Sequence, residues 1–412
     1  MFKALSTLSP RLRFNYSKPN IENIVFKLHY KFTVVMLLAF VILVCGREYF
    51  GDHIRCISDK GVEDKVIQTY CFFMGTFTIA KHYNEALLRA GDLPHPGIGP
   101  MAKGDELLHH TYYQWVPFVL FIQAICFYMP HYIWKKKEGG RIKALVDGLQ
   151  YASLAPQSED LKIGKTNIPS KDNLEKKIDI IRKDILQRLR ITRTWSTWLI
   201  AMEVINFLQV IFQVWLVDVF LNGNFISLGA KVLNIGTWNY IADPLEKIFP
   251  KVTKCIFEKY GPSGTIQKHD ALCVMALNIV HEKIYTILWF WFIFLFVASL
   301  LAVVWRFITY HFYSRSLKFN EVVFQRISSS KLNQHDIVRV INSCKFSDWL
   351  FLYYLAKNMK SVVFQQLFSG LAAELEKREF PYERLGQKGK IAQPLLGQTS
   401  YEEETLPYKS HI

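Results

Sequence analysis

Four of the seven cysteines fall into two pairs along this 412-residue chain. Cys56 and Cys71 are separated by 14 residues, and Cys255 and Cys273 by 17 residues. Such thiols form disulfides in an oxidising compartment, and four cysteines allow three pairings, which spacing alone leaves open. A metal site is the competing interpretation, but no CxxC pair and no local group of histidines accompanies these cysteines. Two disulfides are therefore predicted.

The other reactive residues do not indicate an enzyme. The chain has no P-loop, no glycine pattern of dinucleotide-binding proteins and no HExxH sequence. His109 and His110 stand at the edge of an apolar segment, without the repeated histidine motifs of membrane di-iron enzymes. We therefore predict no catalytic residue, no metal and no cofactor.

Glu203 is the one carboxylate deep within an apolar segment. Such a residue is a candidate pore or gating group, because a buried charge in a membrane is costly and usually functional. The other interpretation is structural, with Glu203 facing another helix and hydrogen-bonded or protonated there. The sequence favours the structural role, since no opposite charge lies within the other apolar segments.

Four apolar segments are candidate membrane helices, since roughly 20 helical residues cross the hydrocarbon layer of a membrane. They are residues 32–46, 112–134, 195–220 and 284–305. The first is short and needs its flanking Lys31 and Arg47 to extend to the headgroups. The predicted fold class is an all-α membrane protein, a four-transmembrane-helix bundle with disulfide-linked extracellular loops and a helical cytoplasmic domain.

Basic residues predict the orientation of this bundle. Segments 1–31, 135–194 and 306–412 hold 36 of the 50 Lys and Arg residues, whereas segments 47–111 and 221–283 hold 14. Membrane proteins keep their basic residues on the cytoplasmic side, so both termini are predicted to be cytoplasmic and the four paired cysteines extracellular. The net charge of +15 is assigned to topology and to anionic membrane lipid rather than to nucleic-acid binding.

The cytoplasmic segments contain further elements. Residues 1–31 include an amphipathic helix that lies either on the membrane or in a channel mouth, and the sequence alone favours the membrane. The loop 135–194 contains an amphipathic helix from about Ser170 to Arg190, and 306–382 forms a helical domain. Residues 383–412 are predicted to be disordered, with a C-terminal peptide ligand for a PDZ domain at Ser410–Ile412.

The second apolar segment begins with Tyr112, Tyr113, Gln114, Trp115 and Val116, a YYQWV motif. This motif resembles the signature of the innexins, the gap-junction proteins of invertebrates. Further segments look like insect innexins in the expected order, over about residues 15–375. They are IENIVFKLHYKFTV at 21–34, YFGDHIRCI at 49–57, PGIG at 96–99, YYQWVPFVLF at 112–121, EGGRIKALV at 138–146 and DWLFLYYLAKNM at 348–359.

The resemblance implies a gap-junction channel subunit at the plasma membrane. Homomeric or heteromeric innexin oligomers, with eight copies the expected number, form a large-pore hemichannel. The hemichannel docks with one on the adjacent cell and passes ions and small molecules. The resemblance also implies that the two outer loops are tied to each other, with Cys56 bonded to Cys273 and Cys71 to Cys255. It places the N-terminal helix in the pore mouth, which makes Met1, Phe2 and Lys3 candidate pore or gating residues.

Two alternative functions are weighed against the intercellular channel. A pannexin-like release pore is a channel that does not dock, and it gives membrane current in single cells without coupling in pairs. A four-span adhesion or scaffold protein of the tetraspanin or claudin type has no pore at all. The long first outer loop and the inner loop of 60 residues argue against the adhesion protein.

Overall fold

The computed structural model describes residues 19–50, 54–58, 61–146, 161–163, 166–168, 170–188, 192–234, 243, 245–328 and 332–379. These parts are mostly helical, and four of their helices are long and apolar enough to cross a membrane, as predicted. The candidate spans are Ile24–Glu48, Tyr112–Glu138, Thr194–Phe220 and Ala276–Phe312. The N-terminal residues Met1, Phe2 and Lys3 and the C-terminal Ser410–Ile412 lie outside the described residues.

The first and second membrane helices extend beyond their uncharged segments. Helix α1 begins at Ile24 with an α-helical turn, continues as a π-helical segment at Leu28–Thr33, and ends with Val34–Phe50. The charged Lys27 and Lys31 are therefore within the helix. Helix α4 spans Val116–Glu138, with a proline in its first turn and Gly139 in a left-handed conformation directly after its end.

The third and fourth membrane helices are antiparallel neighbours. Helix α7 spans Thr192–Phe220 and packs against α9, which spans Ala276–Phe312. Helix α9 therefore continues well past Trp305, where its uncharged segment ends. Short helices accompany them on the side of α7's C-terminus. These are α2 at Asp64–Met74, α3 at Glu85–Ala90 and α8 at Phe225–Asn234.

A five-stranded antiparallel sheet joins the two segments that were predicted as outer loops. Its order is β1–β7–β6–β2–β3, so strands from the first segment flank a hairpin from the second. The strands are β1 at Arg55–Ser58, β2 at Thr76–Ile79, β3 at Leu107–His110, β6 at Val252–Tyr260 and β7 at Ile266–Val274. We refer to residues 54–110 and 245–275 as the sheet domain; this sheet was not predicted from the sequence.

The opposite end of the bundle carries a helical domain, which comprises α5, α6 and α10–α13 together with a two-stranded hairpin of β4 and β5. Its elements are α5 at Arg141–Val146, β4 at Leu161–Ile163, β5 at Thr166–Ile168, α6 at Lys171–Arg188, α10 at Leu317–Ser328, α11 at Gln334–Ser343, α12 at Phe346–Asn358 and α13 at Ser361–Glu379. Helix α6 matches the amphipathic helix predicted from about Ser170 to Arg190, and its apolar face is buried against the other helices of this domain. Two further buried clusters lie in the membrane bundle and around the disulfides of the sheet domain, and Leu245, Ile248 and Phe249 of the sheet domain pack into the bundle cluster.

Candidate functional site

Two disulfides hold the sheet domain together. Cys56 is bonded to Cys273 and Cys71 to Cys255, the pairing that the resemblance implies. The first bond joins facing residues of β1 and β7, and the second joins α2 to β6. Each bond connects the segment between α1 and α4 with the segment between α7 and α9. Because one disulfide encloses the other in sequence, the two segments are cross-linked at two adjacent points.

Sulfur atoms in this region are close together but are not available as thiolate ligands. The Sγ atoms of Cys56, Cys71 and Cys273 lie within 4.8 Å of one another. A cysteine ligates a metal as its thiolate, and all three sulfurs are oxidised in disulfides. The arrangement therefore serves covalent cross-linking.

The YYQWV motif fastens the sheet domain to the start of α4. Tyr113 is fully buried, and its hydroxyl shares its one hydrogen between the carbonyl oxygens of Cys71 (3.3 Å) and Phe72 (3.1 Å). The amide of Gln114 donates to the carbonyl oxygens of Phe72 (2.6 Å) and Phe73 (3.1 Å). The last carbonyls of a helix lack partners within that helix, so these side chains complete the C-terminal end of α2.

Gly75 ends α2 at the same place. Its φ of 88° lies in the region that only glycine adopts without strain, and a Cβ atom there would stand 2.6 Å from Cγ2 of Thr111. The end of α2 therefore lies directly against the residue that precedes the motif. Tyr113, Gln114 and Gly75 together position Cys71 for its disulfide to β6.

Tyr113→Phe is expected to lower the free energy of unfolding by about 1 kcal/mol, because it removes the hydroxyl donor and leaves two carbonyls without it. Tyr112→Phe is a matched control within the motif. The Tyr112 hydroxyl has no hydrogen-bond partner among the described residues, so its loss should change stability by less than about 0.5 kcal/mol. Amide exchange of α2 in the detergent-solubilised protein measures both effects. Equal protection in the two variants would contradict the capping role.

His110 is a buried histidine at the end of β3. Its Nε2 atom lies 2.8 Å from the hydroxyl of Thr78 on the neighbouring strand β2. Burial and, as the smaller cause, the neighbouring His109 together lower the pKa of His110 from 6.5 to about 4. The folded sheet domain therefore favours neutral His110.

Acidification from pH 7 to pH 5 is expected to destabilise the sheet domain through His110. In this range the unfolded chain binds a proton at a pKa near 6.5 and the folded chain does not, so stability falls as pH falls, by about 2 kcal/mol. Thermal unfolding at several pH values measures the effect. His110→Gln should flatten the profile, whereas His109→Gln, at an exposed neighbouring position, should keep most of its slope, because burial is the larger cause of the lowered pKa of His110. The same profile in all three proteins would contradict this assignment.

Glu203 lies at the other end of the bundle, in a buried ion pair with Arg306 of α9. The guanidinium donates from Nε to Oε2 (2.8 Å) and from Nη2 to Oε1 (2.6 Å), and the two side chains are 13% and 5% exposed for Arg306 and Glu203. This bidentate geometry is the strong form of an Arg–carboxylate contact. Tyr354 of α12 is buried beside the pair, and burial followed by the charge of Glu203 raises the pKa of its hydroxyl.

Arg306 is a partner that the sequence analysis missed. It lies one residue beyond the uncharged segment 284–305, so it was assigned to the cytoplasmic domain. Because α9 continues to Phe312, Arg306 remains within the helix and reaches Glu203. Glu203 thus faces another helix, as the structural interpretation holds, but its partner is an opposite charge, contrary to the expectation from the apolar segments.

The ion pair also contacts the start of α1. Asn23 caps that helix by accepting from the backbone N–H of Phe26, and its side-chain amide donates to Oε1 of Glu203 (2.9 Å). Asn20 and Asn358 of α12 exchange two hydrogen bonds of 2.5 and 3.1 Å. The residues that lead from the N-terminal segment into the membrane are therefore fastened to both α7 and the helical domain.

A second polar contact strengthens this junction. Glu22 accepts from Nδ1 of His131 on α4 at 2.8 Å, and the ring of Tyr30 stacks on His131 with 3.6 Å between ring centroids. The candidate site residues thus form two groups. The cysteines and the YYQWV motif meet in and beside the sheet domain, whereas Glu203 stands at the helical-domain end.

Comparison with known proteins agrees with this architecture. The innexin family profile matches residues 22–375. Innexin inx7 of Drosophila melanogaster is 44% identical over 91% of this chain and 85% of its own length. Innexin inx2 of Schistocerca americana is 39% identical over 87% of this chain and 94% of its own length, and Innexin shaking-B of Drosophila melanogaster is 36% identical over 86% and 90%. The chain therefore belongs to the innexin family, whose members are gap-junction channel subunits.

Proposed function

We propose that this chain forms an intercellular channel in which the sheet domain faces the extracellular space and docks with a second hemichannel. The observation that carries this proposal is the doubly cross-linked sheet. Two disulfides are stable in an oxidising exterior, and they make one rigid unit of two otherwise separate connections between membrane helices. A rigid, preorganised surface is suited to docking because little conformational freedom is lost on contact.

The distribution of basic residues supports this orientation. Lys135, Lys136 and Lys137 form the last turn of α4, next to the helical domain, and Arg315 follows the end of α9 at the same side. Basic residues flanking membrane helices are retained in the cytoplasm. We therefore place the helical domain and both termini inside the cell. From the resemblance we also propose that eight copies surround the pore, with Met1, Phe2 and Lys3 at its mouth.

The hairpin of β6 and β7 is the docking element that we propose. Its strands have nine residues each and are therefore about 30 Å long. Tyr260 and Ile266 face each other across the turn, and they are 77% and 59% exposed. Two large apolar side chains at the tip of a hairpin form a contact surface that a facing copy would bury.

Ser263→Asn tests the orientation and the docking surface together, because Gly264 and Thr265 follow and complete an N-glycosylation sequon at the hairpin tip. We expect the variant, expressed in animal cells, to carry a glycan that endoglycosidase removes. Junctional conductance between paired cells should fall to that of uncoupled cells, while hemichannel current in single cells persists. Dual whole-cell recording with surface biotinylation provides these measurements.

The matched control is Ser263→Asn combined with Thr265→Ala, which keeps the first substitution and destroys the sequon. It should restore coupling. Absence of the glycan on surface-expressed protein would contradict the extracellular placement of the hairpin. Normal coupling by a fully glycosylated variant would contradict docking through the hairpin tip.

A further inference from the structure

A cavity of about 600 Å³ opens between the membrane bundle and the helical domain. It is lined by residues from α7, from α9 and from the start of α12. This volume is in the range of about 300–1,000 Å³ that is typical of sites for small molecules. The ion pair of Glu203 and Arg306 forms part of its lining, and no residue of the sheet domain contributes.

The cavity changes in polarity along the helix axes. Toward the centre of the membrane its walls are Val204 of α7 and Val303 of α9. Toward the helical domain they are Ser196, Tyr310 and Lys345. Val303 and Tyr310 are about 10 Å apart along α9 at 1.5 Å per residue. An occupant must therefore be apolar at one end and polar at the other, with the polar end next to the helical domain.

The charged residues of the lining favour an occupant whose polar end is anionic. Glu203 and Arg306 neutralise each other, and Lys345 adds a positive charge at the exposed end of the cavity. An ammonium next to aromatic hydroxyl side chains is typical of the headgroup level of a membrane. Phosphate and carboxylate oxygens are the groups that such a lysine attracts.

We propose that this cavity is a binding site for one anionic phospholipid, with its headgroup at Lys345 and Tyr310 and an acyl chain between α7 and α9. The cavity opens on the membrane helices, so the surrounding bilayer can supply this lipid. Val204, Phe307 and Tyr310 are 38%, 69% and 59% exposed on membrane helices, so the opening is at the surface that faces lipid or a neighbouring subunit. The proposed orientation of the protein decides only one feature of this site, namely that the lipid belongs to the cytoplasmic leaflet.

The lipid would connect the parts of the protein that meet at the cavity. The start of α12 lines one side, and Glu203 on the other side holds Asn23 at the start of α1. A lipid in this position is in contact with α7, α9 and α12 at once. It therefore acts as a removable packing element between the membrane bundle and the helical domain.

Photolabelling of the full-length oligomer in vesicles tests the proposal. The vesicles consist of phosphatidylcholine with a minor fraction of phosphatidylserine that carries a photoreactive acyl chain, and both leaflets have the same composition. We expect labelled peptides containing Val204 and Val303 in clear excess over the exposed stretch around Leu208 and Phe212. Val303→Trp, which fills the cavity, should reduce labelling of the Val204 peptide about tenfold.

Leu301→Trp is the matched control, because it adds the same ring to an exposed position of α9. It should leave labelling unchanged. Lys345→Gln should abolish the preference for phosphatidylserine over an equally reactive phosphatidylcholine, whereas Lys360→Gln, at an exposed position of the helical domain that does not line the cavity, should preserve it.

Two results would overturn the site. Equal labelling of the Val204 peptide in the wild type and in Val303→Trp would show that lipid contacts only the outer face of the helices. Cross-linking of Lys345 to a neighbouring subunit, without lipid labelling of the cavity peptides, would assign the cavity to a subunit interface. Both measurements use symmetric vesicles without a second membrane. A negative result would therefore contradict the lipid site and leave the proposed docking function untouched.

Discussion

Replacing Cys56 and Cys273 together by Ser is expected to abolish junctional conductance while the helical domain remains folded. The bond joins positions 217 residues apart and encloses the second disulfide. Its removal should lower the free energy of unfolding of the sheet domain by about 2–4 kcal/mol, through the added freedom of the unfolded chain. Strand β1 depends most on this bond, because among the described strands it lies at an edge of the sheet, with β7 as its one neighbour.

The double substitution is preferable to Cys56→Ser alone, which leaves a free thiol at Cys273 that can form a wrong disulfide with the other pair. Cys126→Ala is a suitable control, since Cys126 is a free, half-buried cysteine in α4. Paired-cell recording measures the conductance, and amide exchange reports β1 and α12 separately. Normal conductance in the double variant at normal surface expression would disprove the role of this disulfide in docking.

Arg306→Met is expected to cost about 3–5 kcal/mol of stability, because it leaves the buried carboxylate of Glu203 without its countercharge. Glu203→Leu should have a cost of similar size, because it leaves the guanidinium of Arg306 without its countercharge. The combined variant should be clearly more stable than the sum of the two changes, since two apolar side chains can pack where the ion pair was. Asn23 still loses its acceptor, so the combined variant should remain somewhat below the wild type.

Thermal unfolding of the four proteins gives the coupling energy from a double-mutant cycle. Glu258→Gln provides a comparison in the sheet domain, where Glu258 and Lys268 form an exposed ion pair that should contribute less than about 1 kcal/mol. The single variants should also change junctional conductance, because Glu203 holds the residue that caps α1. Additive effects of the two substitutions would contradict a direct coupling between Glu203 and Arg306.

Local sequence patterns were sufficient for the membrane helices and insufficient for the sheet and for the short helices α2, α3 and α8 beside it. An apolar run such as 112–134 is enough to predict a membrane helix, because such a helix forms its backbone hydrogen bonds within one segment. Strand β1 instead needs a partner that is distant in the sequence, since Arg55 faces Val274. The two long strands β6 and β7 are adjacent in sequence, and the residues 261–265 that connect them include two glycines and a proline, which is a hairpin signal.

The ends of the membrane helices show the same limit. Uncharged runs mark where a helix lies in hydrocarbon, but not where the helix ends. Lys27, Lys31 and Arg306 were therefore assigned to flanking segments, although each is helical. Arg306 is mostly buried beside Glu203 on α7, and only the packing of α7 against α9 brings these two residues together. The pairing of the four cysteines was likewise open until the family resemblance indicated it.

The nested disulfides also make the chain a closed covalent ring. One route from the first pair of membrane helices to the second runs along the backbone through α5 and α6, and the other runs through the sulfur atoms. Cutting the backbone between α5 and α6 would therefore yield two polypeptides that still migrate as one molecule until a reductant is added. Because of this ring, the backbone between α4 and α7 can be cut while the two pairs of membrane helices remain covalently linked.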